Sequence, residues 1–596
     1  MYIAGIHFLR IIGAMIIFLV TLVYVEFFLG PFFINYYWLK EKINKISSSG
    51  ESLLFTQVFF DNMFFKFKFF LIAVVVLSVV MLLLRSKIKH YFSRVYRDFI
   101  DINNFFYSII KKSIAKDSMA YRCTFGIVLI FSCAIRLYYL NAPLRYDEAF
   151  TYNNYASKSL LIALSNYSAP NNHLFHTLLA HISTSLLGDG EWAIRLPAFF
   201  AGILLLISVY TFFRMIHGKY LAVVTLGLIG HNSYFIEYST SARGYVFVGL
   251  FFFCIMIFVE LLRKRQNEFL WFMIAVFAAL GLYAIPTMVY CLGVVIAWAI
   301  IPLALERPRD WKKITHFSGK LATYLVLGGV ITIVLYAPIF VTGFGSYSSK
   351  ILLEKLPIDI VIRDLPQAIS AIGLLWTRAM PDWARLVCSI LVALGVFVGN
   401  KSLKNNFLLF CSILLPSLVI ILVQRKIPFT RNWFFLFPVF AGFISMGIML
   451  FLERLKEKKG YDFFIIAVVL MVFIPWMIFE WKQRSILSLS EDKTLLAAKE
   501  VSLYLRPLLS SEDRVMAKCP ADAPLEYYFG RYNIPKKGLI VPKATPRNIY
   551  LVQRKEQSIE AIFIANQEKG LLPGESLRAI YEAKDAIVYK VVNENL

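Results

Sequence analysis

The sequence predicts a polytopic α-helical membrane protein that ends in a small soluble α/β domain. Three observations support this fold class. Apolar residues make up 59% of the 596 positions and charged residues only 17%, which is too little charge for a soluble surface. Apolar stretches long enough to cross a bilayer recur from residue 5 to residue 481. Beyond residue 481 the composition becomes that of an ordinary soluble protein.

The apolar stretches predict about thirteen transmembrane helices, because each span needs about 20 apolar residues. The first lacks a small-residue cleavage site, so we expect it to be a retained helix. The stretch 268–304 is too long for one span and is divided at Pro286. The predicted spans are 7–28, 67–84, 123–140, 196–213, 220–236, 244–262, 268–284, 285–304, 321–341, 384–400, 406–423, 433–452 and 462–481.

The distribution of Lys and Arg predicts the orientation. One set of loops, which includes 85–122 and 307–320, carries 25 of these residues in 74 positions, and the alternate set carries 15 in 151. Cytoplasmic loops hold the excess of basic residues. We therefore expect the N-terminus inside, and the loop 141–195 and the region after 481 outside. The basic cytoplasmic loops also account for the net charge of +24. Nucleic-acid binding is not predicted, because the sequence has no basic patch interleaved with aromatic residues.

Two apolar segments are predicted to be helices at the outer membrane surface instead of spans. Residues 174–187 number only 14 and contain six polar positions, and counting them as a span would place the basic loops outside. Residues 359–380 are a second candidate. In the tail, spacing predicts a helix over 495–509 and strands at 514–518, 539–541 and 548–553, with a hairpin over 577–592.

These patterns predict three parts of the chain: 1–122, with two spans and a basic cytoplasmic loop; 123–481, a transmembrane catalytic core with the outer loop 141–195; and 482–596, an extracytoplasmic α/β domain. The seven cysteines form no CxxC pair and lie mostly in apolar runs, which is typical of small hydrophobic residues. His173, His176 and His181 have no local carboxylate to complete a ligand set, so we predict no metal-ligating residues.

Polar groups collect in four places on the predicted outer side, next to span ends. Several of the arginines there face few carboxylates, and a membrane-level charge usually has a partner. The surplus of guanidinium groups favours an anionic ligand such as phosphate, whereas the alternative is contact with lipid headgroups. The four groups are Arg145-Tyr146-Asp147-Glu148, Asn171-Asn172-His173, Glu237 to Tyr245, and Arg425 to Arg431.

Asp147 and Glu148 are the candidate catalytic residues. Two adjacent carboxylates just beyond a span end are costly unless they are hydrated, paired or catalytic. A carboxylate beside phosphate-binding arginines suits sugar transfer, because it accepts the proton of an acceptor hydroxyl while the arginines stabilise the departing phosphate. A divalent cation held by the two carboxylates remains open, in place of base catalysis or alongside it.

The order of these motifs resembles a known family. Arg145-Tyr-Asp-Glu-Ala is followed by Asn171-Asn-His, Glu237-Tyr-Ser-Thr-Ser-Ala-Arg-Gly-Tyr, Gly281-Leu-Tyr at a span end and Arg431 before an aromatic span. This is similar to GT-C glycosyltransferases of the protein O-mannosyltransferase and lipid A aminoarabinose transferase type, and most to their bacterial relatives. The resemblance is clear over about 120–300. It departs where the family often has His-Pro-Pro and this chain has His173-Leu174-Phe175.

The resemblance implies a GT-C transmembrane core, a polyprenyl-phosphate-linked sugar as donor and Asp147 as the catalytic base. The implied partners are an acceptor glycan, lipid or protein, and membrane lipids. A direct displacement would invert the anomeric carbon. The resemblance and the polar groups described above together predict nine substrate-binding residues. These are Arg145, Asn172, His173, Glu237, Arg243, Tyr245, Tyr283, Arg425 and Arg431.

Two other classes compete with the transferase. A transporter or flippase of a lipid-linked or anionic substrate would be expected to show paired broken spans and midplane charges, whereas here the charges lie at one face. An adhesion or assembly protein would not explain the Asp147-Glu148 loop. We therefore favour a glycosyltransferase of the cell membrane whose active site and tail are extracytoplasmic.

The orientation can be tested by labelling single cysteines in a background without the native ones. We expect a cysteine at Asn154 to react with an impermeant thiol reagent added to intact cells, and a cysteine at Lys264 to react only after permeabilisation. Equal labelling of both positions, or the reverse order, would contradict the orientation and the exterior active site.

Overall fold

The structure, a computed structural model, is predominantly helical before residue 453 and mixed α/β after residue 493. It describes residues 85–306, 308–342, 355–397, 403–452, 494–510, 512–535, 548–566 and 576–592, with a few single positions outside these ranges. The predicted spans 7–28, 67–84 and 462–481 and the predicted strand 539–541 lie outside these ranges.

The first half of the described chain leads from a long polar helix through the outer loop into the apolar bundle. A π-helical turn, Tyr152–Ala156, continues the third helix. The helices are α1 (Arg85–Lys116), α2 (Met119–Leu140), α3 (Tyr146–Thr151), α4 (Leu160–Ser165), α5 (Leu174–Leu187), α6 (Glu191–His217), α7 (Lys219–His231) and α8 (Ser233–Ser239).

The second half completes the bundle. A 3-10 helix, Thr430–Leu436, precedes its last described helix. These helices are α9 (Tyr245–Lys264), α10 (Glu268–Ala284), α11 (Met288–Leu305), α12 (Trp311–Thr342), α13 (Ile358–Trp376), α14 (Asp382–Phe397), α15 (Leu403–Gln424) and α16 (Phe437–Leu452).

Seven stretches in the described part of the chain are long and apolar enough to cross a membrane. They coincide with seven predicted spans and support the prediction of an α-helical membrane protein; the total of thirteen spans stays a prediction. The predicted spans 268–284 and 384–400 are the helices α10 and α14, of 17 and 16 residues. The seven stretches are Met119–Leu140, Glu191–His217, Tyr245–Lys264, Met288–Leu305, Trp311–Phe340, Asn406–Gln424 and Thr430–Leu452.

The predicted span 220–236 is broken in the structure into α7 and α8. Asn232 lies between them with an extended backbone, and its side chain accepts a hydrogen bond from the Phe235 amide at 3.1 Å. Its amide group donates to the carbonyl of Trp376 at 3.1 Å, at the end of α13. Asn232 therefore ends one helix and caps the next, which the run of apolar residues does not reveal.

The two predicted surface helices have helical counterparts at α5 and α13. α5 has the bounds predicted, and it ends at Gly188, whose φ of 86° is a conformation that glycine adopts without strain. α13 leaves Ile358, Ile362 and Ile369 exposed on its apolar side. The position of both helices at the membrane surface stays a prediction.

The tail contains a four-stranded mixed sheet with helices packed on it. Its helices are α17 (Ala498–Leu505), α18 (Asp522–Arg531) and α19 (Ile559–Asn566), and its strands are β1 (Arg514–Ala517), β2 (Ile549–Arg554), β3 (Ser576–Glu582) and β4 (Ala586–Val592). The strand order is β1-β2-β4-β3, with β1 and β2 parallel and β3 and β4 an antiparallel hairpin. The described residues of the tail thus combine helices with a mixed sheet, while a separate extracytoplasmic domain stays a prediction.

Candidate active site

The short helix α3 carries both candidate catalytic carboxylates. It follows the end of α2 by only six residues, so its backbone is tied to a long helix. The Glu148 side chain accepts a hydrogen bond from the Arg145 amide at 2.9 Å and thereby caps the start of α3. The Thr151 hydroxyl donates to the carbonyls of Asp147 and Asn171, at 2.8 and 3.1 Å.

Glu148 is committed to contacts within the protein. Arg195 on α6 donates to both of its oxygens, from Nε at 2.8 Å and from Nη2 at 2.6 Å, and the Ala242 amide donates to Oε1 at 2.6 Å. The residue is 1% exposed. Burial alone would raise the pKa of Glu148, but the charge and hydrogen bonds of Arg195, together with Arg145, lower it to about 2. This geometry favours a structural part for Glu148 over the catalytic part that the sequence suggested.

Asp147 faces a different set of partners. Its Oδ1 accepts from the Asn171 side chain at 2.9 Å, and its Oδ2 lies 3.0 Å from Arg243 and 3.3 Å from Arg431. Arg431 is the most accessible of these arginines, with 27% of its side chain exposed. The structure thus brings together three outer segments that the sequence had singled out, at one carboxylate.

Glu237, at the end of α8, forms a second centre beside the first. Its Oε1 lies 2.8 Å from Arg145, and its Oε2 pairs with Arg378. Sequence reasoning did not single out Arg378. It is one of only four basic residues in the predicted outer loop 342–383, where basic residues are expected to be sparse, and this rarity was a signal that pointed to it.

The two centres join four arginines to two carboxylates, through the ion pairs described above. Two further arginines, Arg136 and Arg195, lie outside this set. Arg136 is fully buried and donates to Ser239 at 2.8 Å and to backbone carbonyls. Among the described residues, the cluster of Arg145, Arg243, Arg378, Arg431, Asp147 and Glu237, here called the arginine cluster, therefore carries two more positive than negative charges.

His173 is a neutral hydrogen-bond acceptor at the edge of the arginine cluster. Its Nδ1 accepts from the Gly244 amide at 2.7 Å, and its ring meets that of Tyr245 edge-on. Burial, reinforced by the positive charge of Arg243, holds the pKa of His173 well below its usual range. The acceptor role agrees with this, because a protonated imidazole has no free lone pair.

Three predicted site residues lie apart from Asp147 in their described contacts. The Asn172 amide donates to the carbonyls of Ala163 and Asn166, at 3.1 and 2.7 Å, so its neighbour Asn171 is the one that contacts Asp147. Tyr283 is buried with its ring 5.5 Å from that of Tyr336. The side chain of Arg425 is exposed.

An apolar groove of about 460 Å³ opens beside the arginine cluster, between α5, α6 and α9. Phe247 of the groove lies in the first turn of α9, which starts directly after Arg243 and Gly244, and its ring contacts that of Phe175 at 5.1 Å. Twelve of the thirteen lining residues are apolar: Phe175, Leu179, Ile182, Leu187, Leu196, Pro197, Phe200, Ala201, Leu204, Phe247, Leu250 and Phe251.

The donor set at the two carboxylates does not fit a divalent cation. Both oxygens of Glu148 are engaged by Arg195 and by backbone amides, and Asp147 faces two guanidinium groups. Divalent cations of this kind require oxygen ligands free of such competition. Among the described residues, no group of three or more His, Cys, Asp or Glu side chains is placed to hold a metal ion.

A family model supports the class that the resemblance implied. Residues 171–337 match the family described as dolichyl-phosphate-mannose-protein mannosyltransferase. The matched part contains His173, Glu237, Arg243 and Tyr245 but not Asp147. The match confirms the predicted resemblance to mannosyltransferases over this part of the chain and supports the glycosyltransferase class. No curated protein matches the sequence significantly.

Solved structures give remote similarities. ArnT from Cupriavidus metallidurans bound to undecaprenyl phosphate is 12% identical, with a TM-score of 0.41 over 80% of this chain and 99% of that chain. The Archaeoglobus fulgidus oligosaccharyltransferase in the apo form is 11% identical, with a TM-score of 0.47 over 81% and 76%. The oligosaccharyltransferase AglB from the same organism, in complex with an inhibitory peptide and a dolichol-phosphate, is 11% identical, with a TM-score of 0.41 over 80% and 75%.

Glu148→Gln tests the structural part of this carboxylate. Losing the charge leaves the buried Arg195 guanidinium uncompensated, so we expect a loss of about 3–5 kcal/mol in the free energy of unfolding at pH 7. Because the folded-state pKa of about 2 lies below the ordinary 4.5, the pair stabilises the fold above pH 4.5 and this contribution is lost as the pH falls toward 2. The free energy of unfolding of the variant should therefore decrease less than that of the wild type between pH 4.5 and pH 2.

Thermal unfolding in detergent across this pH range measures the effect. Asp189→Asn, which removes the charge of an exposed carboxylate on the same loop, is the matched control and should unfold like the wild type. A Glu148→Gln protein as stable as this control at pH 7 would contradict the structural part.

Proposed function

We propose that the protein transfers a sugar from a polyprenyl-phosphate carrier to an acceptor hydroxyl, at the extracytoplasmic face of the cell membrane. The observation that carries this proposal is the position of Asp147. Its carboxylate is held by Asn171, Arg243 and Arg431 inside a cluster of four arginines and two carboxylates, next to an apolar groove. The description of the matching family also names a sugar donor carried on a dolichyl phosphate.

The arginine cluster supports binding of the donor phosphate. Arginine matches phosphate oxygens with two parallel N–H donors, and Arg243 and Arg431 approach Asp147 from two different segments. A phosphate that arrives between them would accept hydrogen bonds from both guanidinium groups. The same two side chains would then stabilise the negative charge that grows on the phosphate as it leaves the sugar.

The groove supports a lipid-linked donor over a soluble nucleotide sugar. Its lining is apolar except for Ser183, and one end lies within two residues of His173 and four of Arg243 along the chain. An isoprenoid chain placed there would bury its methyl and methylene groups, each worth about 0.8 kcal/mol. The phosphate would lie at the end of the groove that adjoins the arginine cluster.

Asp147 is the proposed general base. The acceptor oxygen forms a bond to the anomeric carbon while its proton passes to Asp147. The bond from the anomeric carbon to the phosphate oxygen breaks, and its electron pair leaves with the polyprenyl phosphate. Oδ1 has the capacity for this proton, since a carboxylate oxygen has two lone-pair sites and its one described side-chain donor is Asn171. A single displacement of this kind inverts the anomeric carbon.

The acceptor is a hydroxyl of a glycan, a lipid or a protein, and mass spectrometry can identify the product. Surface glycans and glycolipids of cells with and without the gene should differ by one modification. The rate of that modification in isolated membranes, divided by the amount of inserted protein, is the transfer rate used below.

Asp147→Asn keeps the shape of the side chain and removes the base. General-base catalysis contributes about 10² to 10⁴ in rate, so the transfer rate should fall by that order while binding of undecaprenyl phosphate is retained. Transfer at a rate close to that of the wild type would exclude Asp147 as the base and remove the main support for a transferase site in this loop.

Arg243→Met and Arg431→Met test the phosphate site. A hydrogen bond to a charged group contributes about 1.5–3 kcal/mol, so either variant should bind undecaprenyl phosphate roughly tenfold to a hundredfold more weakly. Arg363→Met, which removes an exposed arginine of the predicted outer loop 342–383, is the control and should bind like the wild type. Equal affinity in all three variants would favour arginines that contact lipid headgroups only.

A further inference from the structure

One contact between the tail and the loop that carries Asp147 is made by a hydroxyl group on α18. The Tyr528 side chain is fully buried. Its oxygen accepts a hydrogen bond from the Leu144 amide at 3.2 Å and donates to Glu191 Oε1 at 3.3 Å. Leu144 lies three residues before Asp147, so this contact holds the backbone just ahead of the proposed base.

Glu191, in the predicted transmembrane core, contacts several side chains of the tail. It is the first residue of α6 and is 3% exposed. Arg531 pairs with one of its oxygens, and Lys499 lies 3.5 Å from the other. Three side chains from two helices of the tail therefore converge on one buried carboxylate.

The same stretch of α6 also holds the other side of the active-site loop. One turn after Glu191, Arg195 binds Glu148 and donates to the carbonyls of Leu140 and Pro143, at 3.0 and 2.9 Å. Residues 140–148 are thus fixed by Arg195 from within the bundle and by Tyr528 from the tail. Asp147 lies between the two sets of contacts.

Apolar packing joins α3 to the tail along its length. Leu144 and Ala149 belong to one buried cluster with Leu525 and Phe529 of the tail. Beyond α3, the Asn153 side chain donates to the carbonyl of Ala523 at 3.0 Å. The tail therefore packs against α3 in addition to the hydrogen bonds at Leu144 and Asn153.

We infer that Tyr528 and Arg531 are positioning residues for the transfer reaction, through which the C-terminal domain fixes the backbone that carries Asp147. This inference rests on the proposed function. A base must be held close to its productive geometry, and a displacement of about 1 Å can cost a factor of about 10² in rate. Neither residue belongs to the arginine cluster or the groove, so the effect falls on turnover and not on donor affinity.

The test compares Tyr528→Phe and Arg531→Met with the wild type in the full-length protein. Each should lower the transfer rate at saturating donor by about 10- to 100-fold, with unchanged affinity for undecaprenyl phosphate. Arg531→Lys keeps a positive charge beside Glu191, so this variant should retain most of the wild-type rate. The matched control is Tyr532→Phe, which should have a normal rate. Tyr532 directly follows α18, and its ring stacks on that of Tyr528.

A second measurement keeps the inference testable if a variant is unstable. Hydrogen–deuterium exchange of the peptide that contains residues 144–150 should be faster in Tyr528→Phe than in Tyr532→Phe, because the Leu144 amide loses its acceptor. Normal transfer rates in Tyr528→Phe and Arg531→Met, with Asp147→Asn inactive, would overturn the positioning role and leave the proposed function intact. An active Asp147→Asn would instead overturn the proposed function itself.

Discussion

The candidate active site depends on the buried ion pair between Glu148 and Arg195. Taking both charges out of water is costly unless hydrogen bonds satisfy the remaining donors and acceptors. Here they are satisfied: Glu148 also accepts from the amides of Arg145 and Ala242, and Arg195 also donates to carbonyls at the end of α2 and the loop that follows it. The pair therefore ties α2, α3, α6 and the turn after α8 together at one point.

From this point the two adjacent carboxylates acquire separate roles. Neighbouring residues on an α-helix point about 100° apart, since a turn has 3.6 residues. Glu148 consequently faces α6, while Asp147 faces Asn171, Arg243 and Arg431. One carboxylate anchors the loop and the other is presented to the arginine cluster. An adjacent pair of acidic residues thus serves a buried structural contact and a proposed reaction at the same time.

The sequence predicted the features that depend on residues close together along the chain. The apolar runs predicted the long helices, and the short apolar run with several polar residues predicted α5 at its observed bounds. The outnumbering of carboxylates by arginines next to the outer span ends predicted a cationic site. The pattern did not predict pairings between distant residues. Arg195 as the partner of Glu148, Arg378 as a partner of Glu237 and Tyr528 against Leu144 join positions from 47 to 384 residues apart. The choice of Asn171 over Asn172 and the helix break at Asn232 likewise follow from tertiary contacts.

We expect a lipid phosphate to bind at the arginine cluster, beside Asp147. Electron cryo-microscopy of the full-length protein with undecaprenyl phosphate tests it most directly. We expect phosphate density within hydrogen-bond distance of Arg243 and Arg431, with the isoprenoid chain in the groove between α5, α6 and α9. Phosphate density at the opposite ends of these helices, or a lipid chain that leaves the groove empty, would contradict it.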